Sequence, residues 1–179
     1  GVATFTTAPT TWDVDAGTNI KWKVDLALPG NNSPVVWGNR LYLSAADEQT
    51  RVGHSYDTET GQLVWSKPVS GVPGSPAEPP ADVMEDTGFA ASTMAVHGDL
   101  AFALFANGDL VAFKSDGAQA WAKNLGVTKN HYGHSSSLLA YDKFLYVQYD
   151  DSENPRLITL DTATGNEAWT VKREKISWA

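Results

Sequence analysis

Cysteine is absent from all 179 residues, which removes disulfides, thiolate metal ligands and a Cys nucleophile together. Long apolar runs are absent too. No stretch approaches the roughly 20 residues that a membrane-spanning helix needs, and no positively charged start followed by an apolar core marks a signal peptide. Cationic charge is scarce: 13 Lys and Arg stand against 21 Asp and Glu, a formal net charge of −8. A nucleic-acid partner is therefore set aside, because phosphate recognition needs a basic stripe that releases counterions. Only 2 Met are present beside 7 Trp, 6 Tyr and 6 Phe, a balance that suits pleated, half-buried surfaces. With 42% hydrophobic and 19% charged residues, the chain has the apolar content to fold. Helix formers nowhere recur at helical spacing, so the expected class is all-β. The chain opens at Gly1 and not at Met, and the reading is that the true start lies outside it.

What is present is an internal repeat. The run Tyr56-Asp57-Thr58-Glu59-Thr60-Gly61-Gln62-Leu63-Val64-Trp65 returns as Leu160-Asp161-Thr162-Ala163-Thr164-Gly165-Asn166-Glu167-Ala168-Trp169. A weaker copy, Phe113-Lys114-Ser115-Asp116-Gly117-Ala118-Gln119-Ala120-Trp121, keeps the same step from Gly to Trp, and a fourth echo ends at Trp22. The Trp positions are 43, 56 and 48 residues apart, a period of repeat architectures. In each turn, Asp57 or Asp161 accepts backbone N–H groups just ahead of it, and Gly61 or Gly165 takes a positive φ at little steric cost. The Trp that follows is free to lie between neighbouring units.

Each repeat restarts on a small-residue segment, at Asn32–Trp37, Gly88–Val96 and Gly133–Ala140. A turn and an apolar strand follow: Leu41–Leu43, Leu100–Leu104 and Phe144–Val147. A third strand leads to the Asp/Gly turn and a fourth carries the Trp, giving four-stranded antiparallel meanders of the size of a propeller blade. The expected division is an extension over 1–18, a lone outer strand over 19–26, a first blade over 27–67 and a Pro-rich surface loop over 68–86. A second blade over 87–126, a third over 127–175 and the start of another over 176–179 complete it. The expected fold is thus a partial β-propeller of about three full blades plus an N-terminal closing strand.

The small-residue strand, the Leu-Tyr-Leu strand, the Asp-x-x-Thr-Gly turn and the Trp strand together resemble the PQQ-like, or quinoprotein-type, β-propeller repeat. Members commonly build about eight blades, so the resemblance implies the N-terminal part of a longer ring, completed by the remainder of the same propeller or by a protein partner. It implies an extracytoplasmic setting, in the periplasm or at the cell surface of a bacterium. Two kinds of work are found on this fold. One is non-catalytic protein binding or assembly, as in the scaffold of outer-membrane assembly, and this is the favoured reading. The alternative is a fragment of a quinoprotein dehydrogenase, in which a vicinal Cys pair stacks on PQQ and carboxylates hold Ca²⁺. Without Cys that pair is missing, so no cofactor is expected in this chain. A propeller binding a small ligand, glycan or peptide at the channel mouth is the third possibility.

Polar segments precede the restarts, and if the ring closes they rim the channel. Asp86, His131 and His134 are the candidate channel-mouth residues, beside Asn31-Asn32-Ser33. His131 and His134 suit a metal or a proton relay, and Ser136 with His134 evokes a hydrolase pair. Structural hydrogen bonding is the stronger reading, since strand residues three apart face opposite ways and no carboxylate adjoins them. Asp150-Asp151-Ser152-Glu153 reads as a solvated turn with Ca²⁺ as a minor option. Trp37 and Trp178 fall outside the repeat, where packing is favoured over a role as exposed anchors. No catalytic or metal residue is assigned.

Overall fold

The computed structural model describes residues 9–78 and 83–177. Among them the only regular elements are β-strands, grouped into three antiparallel four-stranded sheets in sequential order. The first sheet holds β1 (Val35–Trp37), β2 (Arg40–Ala46), β3 (Arg51–Asp57) and β4 (Leu63–Pro68). The second holds β5 (Ala95–His97), β6 (Leu100–Leu104), β7 (Asp109–Lys114) and β8 (Gln119–Asn124). The third holds β9 (Leu139–Tyr141), β10 (Phe144–Tyr149), β11 (Arg156–Asp161) and β12 (Glu167–Lys172). All three share one register: Val35, Ala95 and Leu139 pair with Tyr42, Phe102 and Tyr146. These are blades of a partial propeller.

Side-chain alternation divides each sheet into a face toward the preceding blade and one toward the next. Between the first two sheets, Tyr42, Ala46 and Trp65 meet Ala101, Ala103, Phe105, Val111 and Phe113. Between the second and third, Phe102, Leu104 and Ala112 meet Leu145, Val147, Ile158 and Leu160. The core is therefore layered between blades, and first strands approach one another, β1 toward β5 and β5 toward β9. Each sheet carries a register shift between its third and fourth strands, at Ser55/Tyr56, Ala112/Phe113 and Thr159/Leu160. A bulge bends the strand and re-aims a side chain. The residue it re-aims is the repeat Trp, paired with Ser55, Ala112 or Thr159.

Three local differences from the sequence reading have physical causes. Residues 19–26 form no paired strand, and the bridge in this region joins Asp13 to Thr18. They cross the first sheet instead, with Trp22, Val24 and Leu26 facing Leu41, Leu43 and Tyr56 around a hollow of about 240 Å³. The small-residue segments before β1, β5 and β9 are irregular. Their polar groups are taken up within and across blades: Asn32 Nδ2 donates to Ser44 O of its own blade at 2.7 Å and to Ala90 O of the next at 2.8 Å, and Leu138 N donates to Thr93 O at 3.0 Å. The insertion after β4 is not confined to the surface, since Val69 and Val72 are buried in the first core layer. Trp178 lies outside the described residues.

Candidate functional site

The repeat turn is a self-contained piece of chemistry. Asp57 Oδ1 accepts from Glu59 N, Thr60 N and Thr60 Oγ1, each at 3.0 Å. Asp161 Oδ1 does the same with Ala163 N, Thr164 N and Thr164 Oγ1 at 3.1, 2.9 and 2.9 Å. The Thr60 N–H and hydroxyl hold the Asp57 carboxyl below the usual carboxylate range, and the Thr164 hydroxyl and N–H do so for Asp161. This fixed turn ends at Gly61 or Gly165, each at φ 71°, a conformation costly for a residue with a Cβ.

The Gly is required for a second reason. A Cβ on Gly61 would fall 2.6 Å from Trp22 Cδ2, one on Gly117 2.9 Å from Trp65 Cδ2, and one on Gly165 2.7 Å from Trp121 Cε3. Each indole thus lies against the bare Cα of the following blade's turn. Each also donates Nε1–H to a carbonyl there: Trp22 to Thr58 O at 2.9 Å, Trp65 to Ser115 O at 3.1 Å and Trp121 to Thr162 O at 2.9 Å. The contact buries a large ring and satisfies its one donor, the combination that suits Trp at interfaces.

Trp169 has no such seat among the described residues. It is 40% exposed where Trp65 is 6% exposed, and Leu139 is 61% exposed where its counterpart Ala95 is 7% exposed. Tyr146 packs on Trp169 with ring centroids 6.1 Å apart, as Tyr42 packs on Trp65 at 6.0 Å and Phe102 on Trp121 at 5.8 Å. The third blade therefore presents, open, the aromatic face that the first two bury.

The sequence-derived channel-mouth residues are held differently from one another. Asp86 and His131 are exposed, and their segments are joined by Met84 N donating to His131 O at 2.9 Å. His134 is buried: its Nε2 bonds Gly126 O at 2.9 Å, its ring meets Tyr149 edge-on, and its Nδ1 has no partner among the described residues. Burial pushes its imidazole below the usual His range, with Arg156 adding to the effect and the Gly126 carbonyl and Asp151 opposing it. Burial lowers His54 likewise, and its Nδ1 is also unpartnered. Both rings are carried neutral. Since the unfolded chain binds protons near pH 6.5, the associated stability is complete above that value and is lost as pH falls toward the lower folded values. Urea midpoints taken from about pH 7.5 to about 5.5 should fall, with a shallower slope in the His54→Asn/His134→Gln variant.

The acidic run lies between β10 and β11, as expected, but it is solvated only in part. Asp150 and Asp151 are buried: Arg173 Nη1 and Asp150 Oδ1 are 2.6 Å apart, Ser136 and Gln148 donate to Oδ2, and Asp151 accepts the N–H groups of Lys129, Glu153 and Asn154. Glu153 is exposed and pairs with Lys129. A further buried carboxylate, Asp109, gathers Arg51, Ser75, Asn107 and Asn124. The sequence reading missed it. The available signal was an Asp opening a strand whose next four residues are apolar, where acids are depleted. Trp37, for which packing was expected, is 53% exposed.

The repeated meanders, the shared register and the Trp-on-Gly contacts define a partial PQQ-like β-propeller. The chain belongs to the sequence family described as outer membrane protein assembly factor BamB, which matches residues 2–140 and 82–177. No curated protein matches it. Among solved structures, BamB from Moraxella catarrhalis is similar with a TM-score of 0.58 and 18% identity, over 87% of this chain and 43% of that one. A europium-containing methanol dehydrogenase gives a TM-score of 0.60 and 16% identity over 82% of this chain and 25% of that one. The quinohemoprotein alcohol dehydrogenase from Comamonas testosteroni gives 0.58 and 20% over 81% and 21%. The chain thus spans less than half the length of the structures it resembles, and the likeness is one of fold.

The dehydrogenase neighbours raise the question of a quinone and its metal. The donor set here does not fit them. Cys is absent, the buried carboxylates Asp109, Asp150 and Asp151 are each committed to cations or N–H groups, and no cluster of three or more His, Asp or Glu suited to a metal occurs among the described residues.

Proposed function

We propose that this chain is a non-catalytic propeller segment that works as a protein-binding or assembly scaffold, in an extracytoplasmic setting. The observation that carries this reading is family membership: residues 2–140 and 82–177 match a family that takes its description from an assembly factor. Leu139, Tyr146 and Trp169 of the third blade repeat the residues that lie between the first two blades and the blades that follow them. A further blade of the same propeller or a partner protein with a similar sheet would cover them. A quinoprotein fragment, using PQQ and Ca²⁺, would need ligands that these residues do not offer.

Native mass spectrometry tests the reading. The particle should be heavier than the 19.3 kDa chain, and Trp169→Ala should weaken the association about thirtyfold or more, as removal of a central Trp anchor does. A wild-type particle at the mass of one chain overturns it. A near-ultraviolet quinone band dependent on Ca²⁺ would transfer the reading to the dehydrogenase class.

A further inference from the structure

We propose that the groove between the first two blades binds an extended peptide segment of a partner protein that carries Lys or Arg beside an aromatic or large apolar side chain. The inference rests on the scaffold reading and names the kind of chain such a scaffold would hold. The groove has a volume of about 570 Å³, within the range of about 300–1,000 Å³ in which ligand sites fall. Its apolar part includes Val83, Met84 and Phe89, and its charged part is Asp47, Glu48 and Glu85, with no Lys or Arg in the lining.

Those three carboxylates are uncompensated. Each ion pair among the described residues lies elsewhere, leaving Asp47, Glu48 and Glu85 without a cationic partner. The Thr50 and Gln49 N–H groups hold Asp47 below the usual carboxylate range and fix its direction. A cation placed between the acids gains their summed field, while an adjacent ring covers Met84, which is itself 43% exposed. The charge pattern selects against nucleic acid and acidic chains and steers a cationic segment inward.

The walls are also fixed in advance. Asn31 Nδ2 reaches across to Asp86 O at 2.8 Å and Thr87 O at 3.0 Å, Asn32 Nδ2 holds Ala90 O, and Pro29 O accepts Ala46 N at 2.9 Å. A preformed groove avoids the ordering cost that weakens binding by mobile loops. Of the polar residues expected at the channel mouth, Asn31 lines this groove and is bonded to the backbone carbonyl of Asp86.

The test is fluorescence anisotropy with the full chain and two end-blocked, fluorescein-labelled pentapeptides, Ala-Arg-Phe-Arg-Ala and Ala-Glu-Phe-Glu-Ala. The cationic peptide should bind at least about tenfold more tightly than the acidic one. Glu48→Gln/Glu85→Gln should remove about tenfold of that affinity, and salt should do likewise. Met84→Ala should weaken the cationic peptide without changing its salt dependence. These side chains are exposed, so the urea midpoint of each variant should match that of the parent and report an intact fold. Equal affinity for both peptides, an unchanged double variant, or no binding of the cationic peptide at millimolar concentration overturns the inference. With the native particle mass unaltered, such a result removes the groove and leaves the scaffold reading; a particle of one chain removes the scaffold reading instead.

Discussion

Gly165→Ala is expected to destabilise the chain by about 3 kcal/mol, against about 1 kcal/mol for Gly98→Ala. Both positions have a positive φ, 71° and 57°, so both substitutions incur the left-handed strain of an L-residue. They differ in what the new methyl meets. At Gly98 nothing lies within 4 Å, whereas at Gly165 the Cβ would sit 2.7 Å from Trp121 Cε3. The indole must leave its seat, stretching the Nε1–H bond to Thr162 O and opening the layer between the second and third blades. Urea unfolding of the two variants separates strain from seating. Equal losses would mean that the Trp contact contributes nothing to stability.

The second large effect is expected at Asp109. Its side chain is fully buried, and Oδ2 receives Ser75 Oγ at 2.9 Å and Asn107 Nδ2 at 2.8 Å, while Oδ1 receives Asn124 Nδ2 at 2.8 Å. Arg51 Nε lies 3.0 Å from Oδ2, held by charge without an aligned N–H bond. This one carboxylate joins a first-blade strand, the Pro-rich insertion and the second blade. Asp109→Ala should cost about 3 kcal/mol, because it strands the half-buried Arg51 guanidinium and several buried donors. Asp109→Asn should lose less, and adding Arg51→Met to it should restore stability, since removing both charges is milder than removing one. Denaturant midpoints of the three variants check the order. If the double variant is the least stable, the pair acts through packing and not through charge.

The sequence made the blades legible because their information is local. Asp57, Thr60, Gly61 and Trp65 sit within one turn and its strand, and the same chemistry at Asp161 to Trp169 confirms the unit. Even the degenerate copy keeps what matters. Asp116 caps Ala118 N at 2.9 Å in a shorter turn, yet Gly117 retains a φ of 83° and receives Trp65. What was not legible is whatever depends on a neighbour. Residues 19–26 carry a strand-like pattern, but pairing needs an adjacent edge, and only Trp22 finds its counterpart. His134 reads as a polar residue of a channel rim, while its burial follows from Gly126 and Tyr149, which approach it only in the fold. Asp109 and the groove acids depend on side chains from separate blades, and no single stretch encodes such convergence.

The Trp-on-Gly contact is directional: each blade offers an indole forward and a bare glycine backward. Head-to-tail joints of this kind are heterologous, and their number is set by the rotation that closes the ring and not by the joint itself. A whole blade could be gained or lost by duplication or deletion of its gene segment with every remaining joint intact. A module copied in this way carries two connectors that already match, so the joint itself sets no limit on the number of blades.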